Sequence, residues 1–382
     1  MKNESVPQKM IDVVEDFSFP YQNLNYQENF RIWRRRKKNP YAFRFTKNPK
    51  ESAFSESHAV GAKSPSKVEQ VVLNRLGYLI GCILICYLVI ENIFDKIAVL
   101  IMRTMHLQIE MVLLGQSRLY GDENLIFWLS FLINFLKYLI PAFIMQVFLK
   151  LPPRVSLPIH IRKPSLLIGG ITLTMLLNIG FGIFDVSRSS ELEKYRLISN
   201  AVNNDDHRII LYILVAIFVL PFITELLLHG CMFQVMRQFG DMFAVITTAV
   251  LAVALTHNIW DALLVGLVHL TISYYLIKTG SFLSVIVIRF VHEIYMFAMF
   301  CIETYHTVYS LEWWLLFLVP CILSIAVCIS IFLKRKQTKE LIPENATYLT
   351  MLEKLTAFFT TMPMTVFLIC CVLLMVITAI LT

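Results

Sequence analysis

The sequence predicts an all-α polytopic membrane helix bundle, and three observations predict it. Of 382 residues, 57% are apolar and 16% are charged, against roughly 25% charged in a soluble domain. Mean hydropathy is +0.64. The apolar residues run in continuous stretches rather than alternating, which suits helical spans of about 20 residues and not a transmembrane β-barrel. With 28 Phe and 16 Met, the composition also excludes the disordered, collagen-like and disulfide-rich classes.

Residues 1–70 are polar. They hold a basic block, Arg34-Arg35-Arg36-Lys37-Lys38, flanked by Trp33, Tyr41, Phe43 and Phe45 and followed by Arg44, Lys47 and Lys50. This segment is expected to be a largely disordered cytosolic tail. It either touches anionic lipid or only fixes orientation. No nucleic-acid partner is expected, because one basic run without a fold is no footprint. No apolar signal-peptide core lies in 1–70, so the first span is expected to be the insertion signal.

Residues 71–382 form the membrane domain. Its apolar segments fall near 77–101, 125–149, 165–185, 209–236, 242–257, 262–277, 281–303, 312–333 and 362–381, an eight-span core with a ninth C-terminal span. Basic loops stay cytoplasmic. Lys150, Arg154, Arg162 and Lys163 follow the second span, Arg237 the fourth, Lys278 the sixth, and Lys334-Arg335-Lys336 with Lys339 the eighth. The loop 304–310 lacks Lys and Arg, while 186–208 mixes Arg188, Lys194, Arg196 and Arg208 with acids such as Glu191, Glu193, Asp205 and Asp206. The N-terminus is therefore expected inside and the C-terminus outside. The eight cysteines lie in apolar stretches without metal spacing and read as small buried hydrophobes.

Ionisable groups at membrane depth cost several kcal/mol unless paired or hydrated, which makes each a functional candidate. Glu225 and His229 in the fourth span are four apart, on one helix face. Pro221, just before them, is expected to kink the helix. His257 ends the fifth span, and His292, Glu293 and Arg289 cluster in the seventh. The bland readings are a Glu225–His229 pair that only joins helices and a structural helix-end His257. His269, in the sixth span, is either a further partner of these groups or a satisfied core histidine, and the second reading is preferred.

The order Pro221, Glu225, Gly230, His257, Gly266, Lys278-Thr279-Gly280-Ser281 and His292 resembles the CPBP family of intramembrane endopeptidases, the CAAX prenyl protease 2, bacteriocin-processing or Abi group. The resemblance covers about 208–300. The family motifs are Glu-Glu-x-x-x-Arg-Gly, Phe-x-x-x-His, and His-x-x-x-Asn or Asp. Here the second Glu is Glu225 and the Gly is Gly230, while Thr224 stands at the first Glu and His229 at the Arg. Val253 and His257 take the second motif; His292 takes the third, with Met296 at its amide or carboxylate.

The resemblance implies a hydrolase in which Glu225, His257 and His292 are catalytic and Thr224, His229, Arg289 and Glu293 support them. It also admits a divalent ion, zinc by ligand type, on Glu225, His229, His257 and His292. The substitutions fall on the chemistry, since a Thr224 hydroxyl is no base and Met296 cannot donate to an oxyanion. An inactive family member serving as a membrane scaffold, regulator or immunity protein is therefore the alternative. A small-solute transporter is a third class, but no matching halves occur to support it. The expected partners are the bilayer and a hydrophobic or lipid-modified peptide or another membrane protein. The expected setting is a bacterial plasma membrane, in peptide or bacteriocin processing or immunity.

Overall fold

A computed structural model describes residues 24–36, 39–43, 65–104, 109–114, 116–121, 123–159, 164–183, 209–305, 310–335 and 347–381. Lys37, Lys38, Arg44, Phe45, Lys47, Lys50, Arg162, Lys163, Lys336, Lys339 and the loop 186–208 lie outside the described residues. The protein is a bundle of α-helices: α1 (Leu24–Arg35), α2 (Pro65–Thr104), α3 (Glu123–Leu149), the short α4 (Pro153–Ser156) and α5 (Pro164–Ile183) come first. A broken helix α6 follows from Ile209 to Phe239, then α7 (Asp241–Thr256), α8 (Ile259–Thr279), α9 (Phe282–Tyr305), α10 (Leu311–Arg335), α11 (Met351–Phe359) and α12 (Met362–Leu381). Seven spans are long and apolar enough to cross a membrane, and Leu166–Phe181 and Asp241–Thr256 are shorter apolar helices. The chain is a multi-pass membrane protein.

Two local features depart from the expectation. A hairpin, β1 (Ile109–Leu114) and β2 (Gln116–Gly121), joins α2 to α3 with Ile109 opposite Gly121. Each strand is six residues long, too short to register in a search for spans. The second departure is in the expected tail. Tyr26, Phe30 and Trp33 recur at helical spacing, so one face of α1 is aromatic, and all three are buried. The Trp33 indole donates to Leu149 O at 2.8 Å, and the Tyr26 hydroxyl donates to Gln234 Oε1 at 2.6 Å. Residues 24–36 and 39–43 are thus a docked part of the fold, within the segment expected to be a largely disordered tail. Burial in turn pushes the Tyr26 phenol above its ordinary value.

The basic connections gather at one end of the bundle. The Arg36 guanidinium donates to Lys150 O, Phe43 N–H to Gln238 Oε1, and Phe282 N–H to Pro158 O. The Lys354 ammonium donates to Phe239 O at 2.7 Å, and burial there lowers its pKa to about 8. In the Thr279-Gly280-Ser281 turn, Gly280 has φ 64° and closes α8 through its N–H to Leu276 O. That left-handed position favours glycine.

The last two helices clasp α2. A Cβ on Gly77 would strike Phe358 O, and one on Gly81 would strike the backbone of Pro363 and Met364. Glycines four apart let two helix backbones touch, where dispersion can hold them together without a hydrophobic drive from lipid. The carboxylate of Glu69 accepts Leu349 N–H just before α11. The first candidate span runs over Ser66–Phe94, earlier than the expected 77–101.

Candidate functional site

The site is built on α6, and Pro221 shapes that helix. A proline inside a helix has no N–H to give and its ring crowds the carbonyl one turn back. The chain answers with wide turns: Leu214–Val219 is π-helical, Leu220–Glu225 returns to α, and Leu226–Met232 is π-helical again. The expected kink thus takes the form of π segments, which recur at functional positions. Glu225 sits at the second junction.

Glu225 and His229 are fully buried, with Nδ1 of His229 2.5 Å from Oε2 of Glu225. The other ring nitrogen lies 2.9 Å from Ser273 Oγ on α8. Also from α8, His269 stacks on His229 with ring centroids 5.4 Å apart and places Nδ1 4.0 Å from Glu225 Oε1. From α9, Arg289 brings Nε to 3.8 Å from the same oxygen and Nη2 to 2.7 Å from Glu293 Oε1. His292 is buried beside them, near enough to His269 for their charges to interact. One carboxylate therefore meets two imidazoles and a guanidinium in the interior.

A second polar group lies elsewhere. His257 is the residue that ends α7, in the left-handed region at φ 50°. Its Nε2 lies 2.8 Å from Glu91 Oε2 on α2. The Glu91 Oε1 atom accepts from Lys137 of α3 at 2.8 Å and from the Tyr87 hydroxyl at 3.2 Å. Along α8, Ile259 and His269 are separated by about 15 Å of helix, and His257 precedes Ile259. Hence His257 is not in the Glu225 group. Of the three residues that the resemblance makes catalytic, the structure places Glu225 and His292 in one region and His257 with Glu91.

The substituted positions are also resolved. The Thr224 hydroxyl donates to Leu220 O at 3.0 Å, which commits it to its own helix. Val253 packs a methyl against Gly266 where α7 and α8 meet. Met296 lies in an apolar cluster with Phe127, Ile179, Val215 and Tyr295, so it does not face Glu225.

A metal could be held by Glu225, His229 and His269, whose ligand atoms all lie within 4.8 Å of one another. This corrects the expected set: His269 enters it, while among the described residues His257 and His292 do not. The fit has a direct sign, since Glu225 Oε1 and His269 Nδ1 are buried without a hydrogen-bond partner among the described residues. Two imidazoles and a carboxylate form a donor set that suits a borderline-soft divalent ion.

Sequence reasoning missed Glu91 and Lys137 and took His269 for core. All three are ionisable residues inside apolar spans, the signal that singled out Glu225.

No curated protein and no solved structure shows significant similarity to the chain. The motif helices α6 to α9 do have a counterpart: residues 206–295 match the family model of the type II CAAX prenyl endopeptidase Rce1-like proteins.

Proposed function

We propose that the chain is a membrane endopeptidase of the CPBP kind, hydrolysing a peptide bond presented within or beside the bilayer. The observation that carries this reading is the convergence of Glu225, His229, His269 and Arg289 from the helices of the Rce1-like segment onto one buried point. A bundle that only spans the membrane has no use for four such groups, each costly in lipid. The substrate is an extended hydrophobic or lipid-modified peptide, because a helical segment hides its carbonyls in hydrogen bonds and must unwind before attack. The family resemblance supports a role in maturing or resisting secreted peptides in a bacterial plasma membrane, and the Lys and Arg distribution supports a cytoplasmic basic end.

Zinc is the ion that best suits the donor set, and Glu225, His229 and His269 would hold it. Bound there, it would supply a fixed positive charge in a dry interior. Around it, Arg289 balances Glu225 and Glu293, and Ser273 orients His229.

One observation favours the second reading, an inactive scaffold or immunity protein. Thr224 spends its hydroxyl on Leu220 O, and Met296 is part of an apolar cluster. Neither position that the family uses for chemistry presents a reactive group. The deciding experiment reconstitutes the full chain in vesicles with a fluorogenic extended hydrophobic peptide. Cleavage above that of empty vesicles supports the endopeptidase; a folded, monodisperse protein that cleaves no faster than the blank supports the scaffold.

A further inference from the structure

We infer that the outer face of α1 and the turn after α3 bind an acidic phospholipid of the bilayer through Arg31, Arg35, Arg36, Lys150 and Arg154. The aromatic face of α1, made by Tyr26, Phe30 and Trp33, is buried in the bundle. At 3.6 residues per turn the opposite side carries Glu28, Arg31, Ile32 and Arg35, and all four are exposed. α1 packs against α4, whose Arg154 is exposed, as are Lys150 before it and Arg36 just after α1. Five cations thus share a face on which α1 contributes one acid, Glu28.

The depth of this face decides its partner. Leu149 ends the span Leu125–Leu149, and Phe239 ends the span Leu214–Phe239. The Trp33 indole donates to Leu149 O, and the Arg36 guanidinium donates to Lys150 O at 3.1 Å. Phe43 N–H donates to Gln238 Oε1, one residue before Phe239. Residues 24–36 and 39–43 therefore lie where two spans leave the hydrocarbon, at the level of the headgroups. Two aliphatic side chains fit the same level, since Ile32 is 52% and Ile159 71% exposed. Beside cations they reach the acyl edge of a leaflet, as the apolar residues of interfacial helices do. A soluble anion would use the cations and leave both isoleucines bare.

The array is also fixed in place. A basic end alone orients a bundle and asks for no particular lipid. Here the hydrogen bonds of Trp33 and Arg36 hold α1 to the end of α3, so a headgroup meets cations already carried on one support, and little ordering entropy is lost on binding. Since α1 is bonded to α6 as well, through Tyr26 and Gln234, a lipid on its outer face stabilises the folded bundle.

The test is thermal unfolding of the full chain in an uncharged detergent, titrated with phosphatidylglycerol or phosphatidylcholine. Phosphatidylglycerol should raise the midpoint, less so in high salt because screening weakens the contact, and phosphatidylcholine should not. A cation at an anionic surface contributes about a 5-fold change in affinity, so Arg35→Gln with Lys150→Gln and Arg154→Gln should need about 100-fold more phosphatidylglycerol for the same rise. Arg154→Gln alone should need about 5-fold more and Glu28→Gln about 5-fold less, two variants that decide the matter even if the triple one does not fold. Lys67→Gln with Arg75→Gln removes exposed cations of α2 and should leave the response unchanged. No rise with phosphatidylglycerol, an equal rise with phosphatidylcholine, an unchanged response in Arg154→Gln, or an equal loss in the α2 variant overturns the site. Inorganic phosphate that raises the midpoint as phosphatidylglycerol does overturns the lipid in favour of a soluble anion. None of these readouts uses peptide cleavage, so the site stands or falls apart from the endopeptidase reading.

Discussion

The Glu225 and Glu91 groups use the same three kinds of side chain, a glutamate, a histidine and a cation, in opposite settings. Glu225 takes His229 and Arg289, with Glu225 and His229 wholly buried. Glu91 takes His257 and Lys137 and keeps partial exposure. The first is assembled within the Rce1-like segment; the second joins two earlier helices to its edge. Similar chemistry is therefore sealed in one place and left partly exposed in the other.

The sharpest way to break this contrast is to remove each carboxylate. Glu225→Leu strands His229, wholly buried, and should cost about 3–5 kcal/mol of stability, whereas Glu91→Leu should cost about 1–2 kcal/mol because its partners are less fully buried. Denaturant unfolding in detergent reads both, and equal losses would show that burial is not what distinguishes them. A metal gives the next largest effect. Zinc at about 100 times its Kd should stabilise the wild type by about 2.7 kcal/mol and the Glu91→Leu variant equally, but not His269→Ala. Elemental analysis should find the bound ion in the first two alone.

Smaller changes sharpen the comparison from outside. Tyr26 donates to Gln234, whose amide donates to His229 O, so Tyr26→Phe should cost about 1 kcal/mol of stability, read by denaturant unfolding. The weakest test is one of pH. Lys354 has a pKa of about 8, below its ordinary 10.5, because of burial. Between those values the unfolded chain holds a proton that the folded chain has released, so stability should rise as pH climbs from 8 toward 10.5. Lys354→Met should abolish that slope in thermal unfolding scans.

The bundle was legible in the sequence because lipid forces apolar runs of span length, and Pro221, Glu225 and His229 were legible because charge beside a helix breaker is rare there. What escaped notice did so for physical reasons. Glu91 and Lys137 each sit within a span whose average remains apolar, and their partners are remote in sequence, so only packing pairs them. His269 looks like a core histidine until α6 brings Glu225 to it. The aromatic face of α1 carried the period of a helix at Tyr26, Phe30 and Trp33, but the adjacent arginines drew attention to the membrane surface instead. The Glu91 partner of His257 was not legible, since position on a helix end says nothing about which neighbour waits there.

The contact of Gly77 and Gly81 with the backbone around Phe358 and Met364 bears on biogenesis. The span Ser66–Phe94 pairs with the much later span Met362–Ile380, so that seam cannot close until the later one has been made. Until then α2 exposes a bare glycine groove to lipid or to whatever insertase escorts it. A bulky residue at Gly81 would leave the early spans inserted and the ring of helices open, a fault to be looked for in turnover in the cell rather than in the assembled protein.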